Sequence, residues 1–192
     1  PNKRKELPRG AGILLPVSSL PSPYGIGALG KAAFAFIDFL KEAGQKYWQV
    51  LPVGPTSFGD SPYQSFSAFA GNPYFIDLDT LREEGLLEQQ EIDAFDWGDA
   101  PDDVDYAKLY QSRFQVLRSA FQRSRHRDTQ GYRAFCEAQA LWLEDYALYM
   151  ALKDSFEGHE WLLWPEKIRL RDAEEVKVWS GLLEEERDFW KF

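Results

Sequence analysis

The segment Phe58-Gly59-Asp60-Ser61-Pro62-Tyr63-Gln64-Ser65 brings together a carboxylate, two hydroxyls, a phenol and an amide, with the rings of Phe66 and Phe69 just beyond. The mixture suits a polyhydroxylated ligand: flat aromatic faces cover its C–H surfaces while the polar groups pair with its hydroxyls. A turn capped by Asp60 and Ser61, with the rings packed inward, accounts for the same residues, and composition leaves both readings open.

Other segments with chemical potential are less specific. Gly25, Gly27 and Gly30 match G-x-G-x-x-G, but a dinucleotide fingerprint needs its first glycine directly after a strand. Here Pro16, Pro21 and Pro23 intervene, so loop flexibility and close backbone packing are the expected roles of these glycines. His126 and His159 are isolated in sequence, with no spacing that suggests a metal site or a nucleophilic triad. Cys136, in a helical and apolar context, reads as a small buried hydrophobe. The acidic stretch Glu88 to Asp105 lacks the glycine and ligand spacing of a calcium loop and reads as a solvated connecting surface; no metal is expected.

The elements that must position these residues change character along the chain. Gly12 to Val17 reads as a fully buried strand, Lys31 to Ala43 as a helix stopped by Gly44, and Tyr47 to Val53 as a second strand. Strand, helix, strand predicts a parallel pairing, hence an α/β sheet or barrel, and the loop from Thr56 to Gly71 then follows a strand's C-terminal end, where such folds bind ligands. A brief strand at Tyr74 to Leu78 and a helix Leu81 to Leu86, opened by Thr80 and Glu83 as a capping box, come next. Helical periodicity then dominates. Tyr106, Tyr110, Phe114, Leu117 and Phe121 line one face of a helix ending near Arg123 to Arg127; Tyr132 to Phe156 and Glu174 to Phe192 predict two more. The last has no terminator before Phe192, so the chain is expected to continue.

Composition bounds the function. With 22 Lys plus Arg against 31 Asp plus Glu, the net charge of −9 opposes binding to phosphate backbones, and neither nucleic acid nor a membrane is expected as a partner. A single cysteine fits a reducing compartment, and a cytoplasmic location is the expectation. Phe, Tyr and Trp make up 16% of the chain, more rings than packing alone requires.

Four strings resemble, in order and spacing, the N-terminal part of the amylomaltases, the 4-alpha-glucanotransferases or disproportionating enzymes of glycoside hydrolase family 77. They are RGAGILLPVSSLPSPYGIGALG, KYWQVLPVGPT, GDSPYQSFSAFAGNPYFIDL and WLEDYALYMALK. The resemblance implies an α/β fold, an incomplete (β/α)8 TIM barrel in which residues 1–80 hold the first βα units and the substrate loop. Residues 81–192 would form a mainly helical insertion subdomain. It implies no cofactor, and transfer of α-1,4-glucan segments between maltooligosaccharides or amylose by a retaining mechanism. By that resemblance Asp60, Ser61 and Tyr63 bind substrate on the donor side, and Phe58 and Tyr110 form a second glucan site. Phe58 stands where a tyrosine is common, keeping the stacking face without the hydroxyl. The family's catalytic carboxylates lie beyond the last residue here, so no residue of this chain is catalytic and its partner is the remaining C-terminal part of the same enzyme. A closed barrel of about 250 residues would not fit this length. A carbohydrate-binding module without chemistry and a helical interaction scaffold are the alternative readings.

Overall fold

The computed structural model describes residues 8–56, 59–99 and 103–192. The chain forms two compact units, one running to Ser119 and the other from Ala120 to Phe192.

The first unit is built on a parallel pair of short strands, β1 (Gly12–Leu14) and β2 (Tyr47–Gln49), joined by α1 (Lys31–Glu42). Gly12 pairs with Tyr47, Ile13 with Trp48 and Leu14 with Gln49, confirming the predicted parallel order. Backbone bonds from Lys46 N to Ala11 O (2.8 Å) and from Leu15 N to Gln49 O (3.0 Å) extend the ladder. Both strands are shorter than predicted. Pro16 ends the first by entering a 3-10 turn at Val17–Ser19. The burial expectation also needs correction: β1 is exposed along its length, because the sheet has two strands among the described residues and its faces are not covered there. The apolar weight falls just past the strand instead. Val17, Leu20 and Ala33 are buried with Phe36, Trp48 and Phe75 against them, and the Trp48 indole donates to the Leu15 carbonyl at 2.8 Å.

The predicted strand at Tyr74 to Leu78 is absent. Asn72 caps a 3-10 turn, Pro73–Phe75, by accepting from Tyr74 N at 3.0 Å, and Asp77 then opens α2 (Leu78–Glu83) by accepting from Thr80 N at 2.7 Å. The side chain that caps is therefore Asp77, not Thr80, and the helix starts three residues earlier than predicted because an aspartate accepts the orphan amide better than a threonine. The acidic stretch is only partly solvated: α3 (Gln89–Asp93) buries Ile92 completely, and the Trp97 indole, itself buried, donates to the Ile92 carbonyl at 3.0 Å.

The three fingerprint glycines are tightly packed, as the sequence suggests. A β-carbon on Gly27 would stand 2.1 Å from Val17 O and 2.7 Å from Leu20 N; one on Gly30 would stand 2.0 Å from the capping Asp77 carboxylate. Backbone atoms cannot yield as a flexible side chain can. Gly27→Ala should therefore destabilise the fold by about 1–3 kcal/mol, measured as a lower urea midpoint with unchanged slope; a midpoint equal to the parent's would contradict the packing.

α4 (Tyr106–Arg123) forms as predicted, and Leu117 and Phe121 of the expected face are buried, together with Leu109, Arg113, Val116 and Ala120, while Tyr110 is 70% exposed. In the second unit the expected long helices are divided. α5 (Gln130–Ala138) and α6 (Ala140–Ser155) part at Gln139, whose side chain accepts from the Trp142 indole at 2.7 Å. α7 (Glu166–Arg169) precedes α8 (Ala173–Leu182) and α9 (Glu184–Lys191), which part at Leu183 with φ −107° and ψ 28°. Leu148 and Leu152 of α6 pack with Trp164 and Ile168, and Glu144 of α6 holds α9 through Arg187 (2.6 Å) and Lys191 (2.5 Å).

Candidate carbohydrate-binding site

Beyond β2 the chain leaves for the loop and returns at Asn72, whose backbone N–H donates to Val53 O at 2.8 Å and closes the neck. Inside the neck a β-carbon on Gly54 would meet Ser65 Oγ at 2.6 Å, so the two limbs touch. The loop's own bonds are local. Ser61 Oγ accepts from Tyr63 N (3.3 Å), Ser65 Oγ donates to Ser67 O (2.9 Å), and Ser67 Oγ accepts from Ala70 N (3.0 Å). Asp60 takes a left-handed conformation, φ 56°, directly after Gly59 at φ 94°. Aspartate tolerates that region better than most residues.

The rings do not pack inward. Tyr63 is 73% exposed and Phe69 is also exposed, so the turn-and-core account of these residues fails for Tyr63. The exposed Tyr63 ring, with Asp60 and Ser61 just before it in the chain, remains a candidate face for a ligand that offers both C–H surface and hydroxyls. Phe58 lies outside the described residues.

The structure adds Tyr74 and Tyr106, which sequence reading missed. Tyr74 is buried, with its ring 6.3 Å from that of Tyr106 and 6.0 Å from that of Phe114. Burial pushes its phenol up to about 12, and the negative charge of Asp60, then Tyr110 and Tyr106, acts in the same direction. The Tyr106 phenol is likewise raised, by burial first and then by Asp60. Asp60 and Tyr110, distant in sequence, thus both lie within electrostatic reach of Tyr74. The available signal was the run Asn72-Pro73-Tyr74, a cap and turn that must turn the chain back beneath the loop.

His126 is not isolated, contrary to expectation. Its Nδ1 lies 2.6 Å from Ser124 Oγ and its Nε2 lies 2.8 Å from Asp188 Oδ2. This resembles a triad only in composition: Ser124 Oγ donates its proton to Phe121 O at 2.7 Å, and Asp188 also accepts from Arg127 Nε and Tyr132 OH, both at 2.5 Å. The group joins α9 to the turn after α4 and offers no free nucleophile. Among the described residues no group of three His, Cys, Asp or Glu is placed to hold a metal ion, and no helix is long and apolar enough to cross a membrane.

The described residues form a mostly helical chain with a short parallel α/β pair and an aromatic, hydroxyl-bearing loop beyond its second strand. The model of the Glyco_hydro_77 family, 4-alpha-glucanotransferase, matches residues 15–192. The 4-alpha-glucanotransferase of Clostridium butyricum is 47% identical over 176 residues, which cover 92% of this chain and 36% of that protein. That of Thermus thermophilus is 48% identical over 191 residues, covering 97% of this chain and 37% of its own length. Among solved structures, the amylomaltase from Streptococcus agalactiae in complex with acarbose superposes with a TM-score of 0.88 at 39% identity, over 96% of this chain and 38% of that one. This chain belongs to the 4-alpha-glucanotransferase family. It spans little more than a third of the length of these relatives.

Proposed function

We propose that this chain supplies the donor-side glucan-binding part of a 4-alpha-glucanotransferase that transfers α-1,4-glucan segments between maltodextrins. The observation that carries the reading is the exposed Tyr63 ring beside Asp60 and Ser61, on a loop built by a chain of this family. The Streptococcus agalactiae relative binds acarbose, and α-1,4-glucans are the corresponding ligands proposed here. In this reading β1, α1 and β2 are the first part of a (β/α)8 barrel, and the helical region after residue 80 is an insertion. The exposed Ile13 and Leu14 of β1 would then be covered by the rest of the same enzyme. Cytoplasmic residence goes with the reading and rests on the free Cys136.

The reading has a direct test. The full-length enzyme incubated with maltotriose should yield glucose and longer maltodextrins on a sugar chromatogram. The 192-residue chain alone should leave maltotriose unchanged, because a retaining transfer needs two carboxyl groups roughly 5 to 5.5 Å apart and the family's pair is expected outside this segment. Transfer by the purified chain itself, surviving a contamination control, would overturn the assignment of chemistry to residues beyond it.

A further inference from the structure

The bonds of Ser61, Ser65 and Ser67 stay within the loop that carries Asp60, Ser61 and Tyr63, and the loop rejoins the body at residues 72–76. That segment is too irregular to satisfy its own backbone. Pro73 lacks an N–H, and the single 3-10 turn leaves carbonyls pointing away from any ladder. Each carbonyl nevertheless has a partner. Asn72 O accepts from Phe75 N (3.0 Å), Pro73 O from Ile76 N (3.3 Å), and Phe75 O from Leu29 N (2.9 Å). The remaining two, Tyr74 O and Ile76 O, both accept from Nη2 of Arg113, the first at 2.7 Å.

Arg113 is 1% exposed and lies one turn beyond Leu109 on the buried stripe of α4, its guanidinium carbon 6.0 Å from the centre of the Trp97 ring. Its Nε is buried with no hydrogen-bond partner among the described residues. Burial pulls the guanidinium down to about 10, and Asp77 pushes back, so it stays charged at neutral pH. A buried cation that leaves one donor unused is an expensive way to fill a core. What it supplies, and an apolar residue could not, is a terminal nitrogen, Nη2, that donates to two carbonyls of one turn.

We infer that Arg113 is a positioning residue for glucan binding: by holding the carbonyls of Tyr74 and Ile76 it fixes the return limb of the loop that carries Asp60, Ser61 and Tyr63. The inference rests on the glucanotransferase reading above. Losing both bonds would let the limb shift and displace Asp60, Ser61 and Tyr63 together from the sugar. A contact made equally with bound substrate and transition state appears in KM, not in kcat.

The test compares Arg113→Met, Arg113→Lys and Asn72→Ala with the parent, all in the full-length enzyme, with maltotriose as substrate and chymotrypsin as a probe of the loop at Tyr63, Phe66 and Phe69. Arg113→Met should raise KM about tenfold, leave kcat within about threefold, and speed cleavage within the loop. Arg113→Lys, which keeps the charge, should recover part of the KM. Asn72→Ala removes only the acceptor for Tyr74 N and should move KM and cleavage in the same direction by a smaller factor; it decides the matter if Arg113→Met does not fold. Folded variants with parental KM and parental loop cleavage, differing from the parent only in melting temperature, would reduce Arg113 to a structural residue and overturn the inference. A parent enzyme that fails to transfer from maltotriose would instead sink the glucanotransferase reading, and the cleavage rates would still decide whether Arg113 holds the loop.

Discussion

Replacing Asp188 by alanine should unfold the helical unit more readily by about 3 kcal/mol, the largest stability loss expected from any single side chain discussed here. Asp188 is 8% exposed, and both its oxygens are occupied: Oδ2 by His126 and Arg127, Oδ1 by the Tyr132 hydroxyl. Removing one partner of a buried ion pair costs about 3–5 kcal/mol because the other charge is left behind. The lower end applies because the Arg127 side chain is 56% exposed and can turn to water. Burial pushes the Asp188 carboxyl up, but donation from Tyr132, Arg127 and His126 outweighs it and the net shift is downward. A carboxyl lowered by folding stabilises the fold above its unfolded value of about 3.9 and loses that contribution as the pH falls through the folded value. The gap between parent and Asp188→Ala should therefore close below about pH 4. Urea unfolding followed by tryptophan fluorescence measures it, since Trp164, Trp179 and Trp190 all lie in this unit. Equal midpoints at neutral pH would show that the network contributes nothing.

The second large effect concerns Tyr63. In the full-length enzyme Tyr63→Ala should lower kcat/KM for maltotriose by a factor of about seventy, whereas Ser61→Ala should lower it about fivefold. A sugar lying on one face of the ring covers roughly 100 Å2 of apolar surface, worth about 2.5 kcal/mol at ~25 cal/mol per Å2. A neutral hydrogen bond contributes about 1 kcal/mol. The structure makes the comparison clean. Because Tyr63 is exposed and not part of the core, its truncation should leave the melting temperature unchanged, so a loss of activity reports on the ligand and not on folding. Loss of stability in step with activity would return the ring to a packing role. Parental kcat/KM in both variants would remove Tyr63 and Ser61 from the substrate site.

Where the sequence was legible, a local physical signal was strong. Helix α1 was readable from apolar spacing and the stop at Gly44, which has φ +71°. The parallel pairing of β1 and β2 followed from a strand, helix, strand order that geometry can satisfy in few ways. The loop was readable as a candidate site because its residue types are dense in chemistry, and its position directly after β2 was readable from the strand that precedes it. The errors have a common source. Tyr74 to Leu78 looks like a strand by composition, yet Asn72, Pro73 and Asp77 each offer the backbone a local alternative, and caps prevailed over propensity. Of the apolar stripe Tyr106, Tyr110, Phe114, Leu117 and Phe121 on α4, Leu117 and Phe121 are buried and Tyr110 is exposed, and the buried residues also include Arg113, which a hydrophobic pattern counts as exterior.

The sequence by itself determined the family, the α1 helix between two parallel strands, the tight packing of Gly25, Gly27 and Gly30, and the chemistry of the loop, because each depends on residues close together in the chain or on an uninterrupted string. Only the tertiary structure decided that Asp188 meets His126 across more than sixty residues, that Tyr74 lies within electrostatic reach of both Asp60 and Tyr110, and that the buried Arg113 bonds the loop's return limb. Those pairings are set by which unsatisfied polar groups folding brings together. A carbonyl left open by a proline-led turn and a cation on a helix forty residues away carry no mark of each other until the chain has closed around both.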